Sequence, residues 1–583
     1  MLYFIAVWIL LLVICGIIGS GTLSILKVDS FDRWGDRWIL SEWIGMIVIS
    51  VVLLGISIVL PVNAIVGAVS ALILCTLAFT QVQTRHDITQ CLNHLSRQKL
   101  MGGLALVVAI AAITAQEVTW MDTGLYHYSS VQWLNRFGTV RGLSLLFENL
   151  GFTSAWFALA APFNPAILEA RVSAVTNGFA YLLAALHFCV CMNYLIAGRG
   201  RIGDQFISVY YCLILLIHLF LQSSRTILIS PSPDLPVLLF VGATAWAMLL
   251  NLNAFAPASK ASAVDSPPVR SHSNGLIVPL FLATGSLSFK LTGLPIFLGA
   301  GLYFGVNHLV VNRGLNLRQL FTAVGVVMAL LLPFLVVNVL TSGCLLYPST
   351  AVCFDVPWSH DAETLQSVAN DTHRWLTWYG TPPDGIHPWL WAAWQWVNEG
   401  HTFRAMAFLI GLSALLSGYV GKIAWSERRY ELLWPVVISA IGIPFFMLTS
   451  PFNRFLLPYL FMTPSLAIVL YLTHRSHHQP HGSIPLPLKA FKHPLLHTLT
   501  PLFLAALLTA GSVRSNLVKL LIPPPMQQVP VAQTQINDIP YRLPLDEALC
   551  WATDIPCAYG VRQDITFRDP ERGLRAGFVQ RVQ

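Results

Sequence analysis

Asp122, Asp234, Lys290 and Arg454 stand at the ends of long apolar runs, and their side chains are suited to acid–base and phosphate chemistry. A carboxylate within hydrogen-bond reach of a hydroxyl can take its proton. Asp122 sits in Gln116-Glu117-Val118-Thr119-Trp120-Met121-Asp122-Thr123-Gly124-Leu125-Tyr126-His127, where one apolar run gives out; its plainer role is to cap the segment that follows. Arg454, in Ser450-Pro451-Phe452-Asn453-Arg454-Phe455, is planar, always charged and bidentate. It suits a phosphate, or else anchors at lipid headgroups. Lys290 lies between two short hydrophobic stretches and either snorkels or binds a phosphate near the headgroups. Asp234 follows Ser230-Pro231-Ser232-Pro233, so a turn or cap role and a functional role are equally open. Tyr126, His127 and Tyr347 offer polar rings that could position a substrate. Glu117 falls inside the apolar run, and an intramembrane carboxylate is a functional candidate by default.

The elements that must carry these residues follow from composition. The chain has 583 residues, 55% hydrophobic and only 10% charged, with a mean hydropathy of +0.65. Soluble domains carry about a quarter charged residues, so a soluble, disordered or nucleic-acid-binding protein is excluded. An all-α polytopic membrane protein fits, because each span must hydrogen-bond its own backbone, and the runs are too long for an outer-membrane barrel. About 14 runs approach the roughly 20 residues a span needs: 3–26, 39–60, 62–80, 101–119, 172–196, 206–222, 236–254, 276–289, 293–311, 320–340, 403–421, 432–448, 455–473 and 494–512. They divide into a three-helix segment (1–100), a core (101–512) and a tail (513–583).

Lys and Arg in the connections 27–37, 85–99, 199–201, 260–270, 313–318, 422–429 and 475–492 all fall on one side, the cytoplasm, provided that 149–163 dips or lies at the interface without crossing. The opposite, extracytoplasmic side then receives the long segments 120–171 and 341–402 and the tail. Apolar residues at 131, 134, 137, 140 and 143 predict an amphipathic interfacial helix over 128–147. Tryptophans 375, 378, 389, 391, 394 and 396 predict an aromatic belt on a horizontal helix, with sugar stacking as the sharper alternative. Outward cysteines at 344, 353, 550 and 557 permit the local disulfides 344–353 and 550–557. His474, His477, His478 and His481 fall in a Pro- and Ser-rich connector, which favours solvation over metal binding.

In order and spacing, several pieces resemble a bacterial family of multispanning membrane proteins found in cyanobacteria and spirochaetes. They are Asp122–His127 with Arg136-Phe137-Gly138, Leu150–Ser154, Ser230–Asp234, Lys290, Leu346–Ser349, Arg454-Phe455, and Cys550-Trp551 through Pro556-Cys557 to Gly577-Phe578. The resemblance runs from about residue 100 to the end. That family is similar in turn to the C-type (GT-C) glycosyltransferases, polytopic enzymes with an acidic residue in the first long extracytoplasmic loop that take sugars from polyprenyl-phosphate carriers. The resemblance implies that Asp122 is the catalytic carboxylate. Three spans ahead of it, and a lone Asp122 where many relatives pair two acids, are departures that leave a divalent metal open.

The expected function is therefore sugar transfer from a polyprenyl-phosphate donor to a glycan or lipid acceptor, at the extracytoplasmic face of a bacterial inner membrane. Asp122 would be the base, Lys290 and Arg454 the phosphate ligands, and Tyr126, His127, Asp234 and Tyr347 the positioning groups. A transporter or flippase for a lipid-linked glycan, a glycan polymerase or ligase, and a non-catalytic scaffold are the alternatives.

Overall fold

Apolar runs in a bilayer have no water to bond with, so they satisfy their backbone internally as helices. In a computed structural model of the chain, residues 1–253, 273–312, 314–477, 503, 505–511, 517–546 and 548–581 are described. Helices α1 (Leu2–Ile25) and α2 (Trp34–Ser57) pack as a hairpin, followed by α3 (Ala64–Phe79), α4 (Val82–His94) and α5 (Arg97–Thr114). A long segment with α6 (Tyr128–Arg136), α7 (Leu143–Leu146) and α8 (Ala155–Ala160) leads to α9 (Val175–Ile196) and α10 (Ile202–Phe220). Next come α11 (Gln222–Leu228), α12 (Asp234–Asn253), α13 (Ile277–Phe289), α14 (Leu294–Asn312) and α15 (Leu317–Ser342). A second long segment holds α16 (Ala362–His373) and α17 (Pro388–Asn398) before α18 (His401–Ser426), α19 (Leu433–Leu448) and α20 (Asn453–His477).

Among the described residues, 11 helices are long and apolar enough to cross a membrane, and α3 with α4, bent by 100°, would make a twelfth. The chain is thus a polytopic helical membrane protein, and the described residues account for 11 or 12 of the 14 spans expected. The run at 62–80 becomes the first arm of the bent pair, and the run at 276–289 becomes the short α13. Of the run at 494–512 only residues 503 and 505–511 are described, and His478, His481 and most of the connectors 254–275 and 474–493 lie outside the described residues. His474 Nε2 lies 2.9 Å from Glu427 Oε1, an ion pair when protonated.

Contacts sort the connections to two ends of the bundle. At one end Arg33 holds Asp36 and Asp204 at 2.7 Å each, Arg37 holds Asp87 at 2.7 Å, and Arg201 holds Asp32 at 2.9 Å. At the other end, called outer, the Met1 amine donates to Lys519 O at 3.1 Å and the Tyr3 hydroxyl donates to Phe163 O at 2.6 Å. The segment 149–163 does not cross. It is a string of short turns around α8, with Ser154 Oγ accepting from Trp156 N at 3.1 Å and donating to Phe289 O at 2.6 Å. Its irregular backbone is buried in protein, where such backbone is tolerated.

Two outer stretches differ from expectation. The stretch 128–147 is not one interfacial helix: α6 ends at Arg136, and Val131, Trp133 and Val140 are buried under protein. Glu117 is not on a spanning helix: α5 stops at Thr114, and Glu117 is exposed in the segment beyond. The tail carries two strand pairs. Strands β1 (Val531–Ile536) and β2 (Ile539–Pro544) form one antiparallel ribbon, and β3 (Ile565–Phe567) and β4 (Phe578–Gln580) form another. The first turns at Asn537-Asp538, both at positive φ (42° and 68°), as a two-residue hairpin favours. Disulfides 344–353 and 550–557 are both formed. The tail docks on both long outer segments: Arg562 pairs with Asp361 at 2.7 Å, Phe578 N donates to Arg141 O at 2.9 Å, and Asp554 pairs with Arg136.

Two stability measurements follow. Asp204 is fully buried, so Asp204→Ala should cost about 3 kcal/mol by leaving Arg33 half-paired and should lower Tm in detergent. Asp32→Ala, at an exposed pair, should cost under about 1 kcal/mol. His360 is buried with Nε2 donating to Ser144 O at 3.0 Å, and burial, aided by Arg562, pulls its pKa from 6.5 to about 4, against the opposing pull of that hydrogen bond and then of Asp361 and Asp564. Its folded pKa lies below the unfolded one, so the unfolded chain binds the extra proton. The contribution of His360 is whole above pH 6.5 and is lost as pH falls towards 4. His360→Gln should flatten that slope in pH-dependent thermal unfolding.

Candidate functional site

Each charged residue is placed at an outer helix end by local chemistry. Asp122 precedes a single π-helical turn, Thr123–His127, and its side chain makes no capping hydrogen bond to that turn. Asp234 opens α12 after a chain of serine bonds: Ser230 Oγ donates to Ile227 O at 2.6 Å, Ser232 N to Ser230 Oγ at 3.2 Å, and Ser232 Oγ to Asp234 Oδ2 at 3.2 Å. Lys290 terminates α13 in extended conformation, and its carbonyl accepts from Gly293 N at 2.9 Å. Arg454 is in the first turn of α20. The segment before it is braced by Trp375 Nε1 donating to Met447 O at 2.9 Å, Trp396 Nε1 to Pro451 O at 3.1 Å and Ser450 Oγ to Thr372 O at 2.7 Å. Four of the six tryptophans at 375–396 spend their indole N–H on such backbone carbonyls, whereas Trp394 stays 66% exposed.

The four side chains meet. Lys290 Nζ lies 2.5 Å from Asp234 Oδ1, Arg454 Nε lies 3.5 Å from Asp234 Oδ2, and Arg454 Nη1 lies 3.4 Å from Asp122 Oδ2. Charges alternate along the row: cation, anion, cation, anion. The two Arg454 contacts are longer than ordinary charged hydrogen bonds, so the guanidinium is held by attraction, and its Nε has no hydrogen-bond partner among the described residues. Its Cζ also sits 5.1 Å from the Trp120 ring, 5.1 Å from Phe452 and 5.0 Å from Phe455, a cation–π cradle. Asp234 is 3% exposed, while the Lys290 and Arg454 side chains are about a fifth exposed (21% and 20%).

Tyr126 and His127 lie beside this row. His127 is fully buried, and neither ring nitrogen has a partner among the described residues. Burial, with help from Lys290, holds its pKa well below 6.5, so the ring is neutral. Burial, then Asp122 and Asp234, push the Tyr126 phenol up. Tyr347 is not brought to the row: its hydroxyl donates to Glu148 O at 3.0 Å, and Phe152 stands between it and Tyr126 at 5.5 and 5.4 Å.

Sequence reasoning missed other groups. Trp120 Nε1, Thr123 Oγ1 and Thr292 Oγ1 are buried without partners among the described residues and belong to the segments that carry Asp122 and Lys290. Their signal was position alone, within two residues of a charge. Trp551, from the tail, packs on Gly124 and stood out only as part of a motif. Among the described residues no three or more His, Cys, Asp or Glu side chains are grouped to hold a metal ion. Asp122 and Asp234 have the Arg454 guanidinium between them, an arrangement that does not fit a divalent cation.

Residues 1–461 match the family described as Domain of unknown function (DUF8201), and the chain belongs to that family. All four charged residues lie inside the matched stretch, and the docked tail lies beyond it. No curated protein and no solved structure matches the chain.

Arg454→Ala should leave two buried carboxylates without their shared cation and cost about 3 kcal/mol. Arg454→Lys should recover less than half of that, because an ammonium cannot face both carboxylates as a guanidinium fork does. Thermal unfolding in detergent gives the ranking.

Proposed function

We propose that the chain is a membrane glycosyltransferase that moves a sugar from a polyprenyl-phosphate-linked donor to a glycan or lipid acceptor. The outer end of the bundle would be the extracytoplasmic face of a bacterial inner membrane, and the Arg33 end the cytoplasmic one. The observation that carries the reading is the meeting of Asp122, Asp234, Lys290 and Arg454 beside buried donors and acceptors on Trp120, Thr123, His127 and Thr292 that have no partner among the described residues. Such a site offers a base and two cations at the depth where a lipid-borne phosphate resides.

The row suggests an exchange. A donor phosphate entering beside Lys290 and Arg454 competes with Asp122 for Nη1, and the 3.4 Å contact there is loose enough to yield. Asp122, once released, takes the proton of the acceptor hydroxyl. The acceptor oxygen then forms a bond to the anomeric carbon while the bond from that carbon to the phosphate oxygen breaks. The pair of electrons leaves with the polyprenyl phosphate, whose growing charge is met by Arg454 and Lys290. Asp234 remains the buried counterion that keeps both cations in place. His127, neutral, and Tyr126 orient the acceptor. The proton on Asp122 passes to solvent through the partly open side of the row.

The test is transfer of labelled sugar from a polyprenyl-phosphate donor by the purified chain in vesicles. Asp122→Asn should reduce turnover at least about a hundredfold, and Lys290→Ala should both raise KM for the donor and lower kcat. Movement of labelled lipid across the bilayer with no new glycosidic bond would overturn the reading in favour of transport.

A further inference from the structure

We propose that Trp551, presented by the loop that the Cys550–Cys557 disulfide closes, is a positioning residue for the Asp122 turn, which makes the C-terminal tail a working part of the site. The role assigned to Asp122 rests on the transferase reading; the contact itself does not.

The contact is built from both sides. The Gly124 carbonyl, two residues past Asp122, accepts from two successive tail amides, Cys550 N at 2.8 Å and Trp551 N at 3.0 Å. The Trp551 indole lies flat against Gly124, where an added Cβ would come within 2.5 Å of Cδ2 and 2.6 Å of Cε2. Only glycine admits the ring at that distance. Trp551 itself is 5% exposed and sits at φ +44°, a left-handed conformation that a bulky residue adopts only when its surroundings impose it.

Those surroundings are visible. The disulfide closes the loop, and Thr553 N donates to Cys550 O at 2.8 Å. On β2, Arg542 N donates to Pro556 O at 3.0 Å and Arg542 O accepts from Ala558 N at 3.2 Å. Asp554, inside the loop, pairs with Arg136 at the end of α6 and with Arg542 at 3.4 Å. The tail therefore grips the stretch that carries Asp122, Tyr126 and His127 at two places, Gly124 and Arg136. A π-helical turn is an unusual backbone state found often at functional sites, and here two tail amides and an indole hold it. The alignment of the Asp122 carboxylate with a substrate hydroxyl is set through this grip, at the tolerance that proton transfer demands.

The experiment uses the full chain in lipid nanodiscs, with amide hydrogen exchange over 120–128 as first readout and exchange in α12 as the folding control. Trp551→Ala and the double variant Cys550→Ser/Cys557→Ser should speed exchange at 123–128 at least about tenfold while α12 stays protected; Trp551→Phe should stay within about threefold of the parent. If a tail variant also loses protection in α12, Gly124→Ala decides, since it displaces the ring with the tail intact: faster exchange at 123–128 supports the proposal, and unchanged exchange overturns it. Unchanged exchange in all variants overturns it as well. The second readout is transfer from a labelled polyprenyl-phosphate sugar, in which Trp551→Ala should lower kcat at least about tenfold with donor KM within about twofold, and Trp551→Phe should restore it. Faster exchange with unchanged kcat would overturn the positioning role. Absence of transfer by the parent chain would sink the transferase reading while leaving exchange to judge the grip.

Discussion

One guanidinium between two carboxylates organises the outer end of this protein. Arg454 belongs to α20, Asp234 to α12 and Asp122 to the turn beyond α5, and the row continues through Lys290 at the end of α13. Taking such charges out of water is expensive, and the cost is offset only when every charge has an opposite neighbour. An alternating row meets that condition with no net charge. It also means that no member can be altered alone, because each cation is what makes a neighbouring anion tolerable at that depth.

The surrounding structure holds the row in register. Serine hydroxyls fix the entry to α12, and tryptophan N–H groups of the second outer segment fix the entry to α20. The aromatic residues around Arg454 do a second job, since rings exclude water from a guanidinium without competing for its donors. The outcome is a cation that is confined in position and still able to bind an anion.

Much of this was legible one residue at a time. Charge is so scarce in the chain that Asp122, Asp234, Lys290 and Arg454 stood out, and the basic connections placed all four at one end of the spans. Their meeting was not legible, because it depends on how α12, α13 and α20 pack. Periodicity misjudged 128–147 for a related reason: an apolar stripe looks alike whether lipid or a protein tail covers it, and Phe578 of the tail packs against Trp133 there. Glu117 was misplaced because hydropathy runs on past the last helical residue, Thr114. Tyr347 was grouped with the row by motif, yet its hydroxyl is used on a backbone carbonyl. Trp551 stood out only as part of a motif, and nothing near it in sequence points to Gly124.

The docked tail also orders events in time. Chains are made from the N-terminus, and early elements form first, so the Asp122 turn exists long before the residues that grip it. The disulfide Cys550–Cys557 forms only after both residues have been made and only where thiols are oxidised. A chain that is truncated, mis-inserted or held in a reducing compartment would carry every charge of the row and still lack the indole on Gly124. Completion of the turn is thereby tied to completion of the chain.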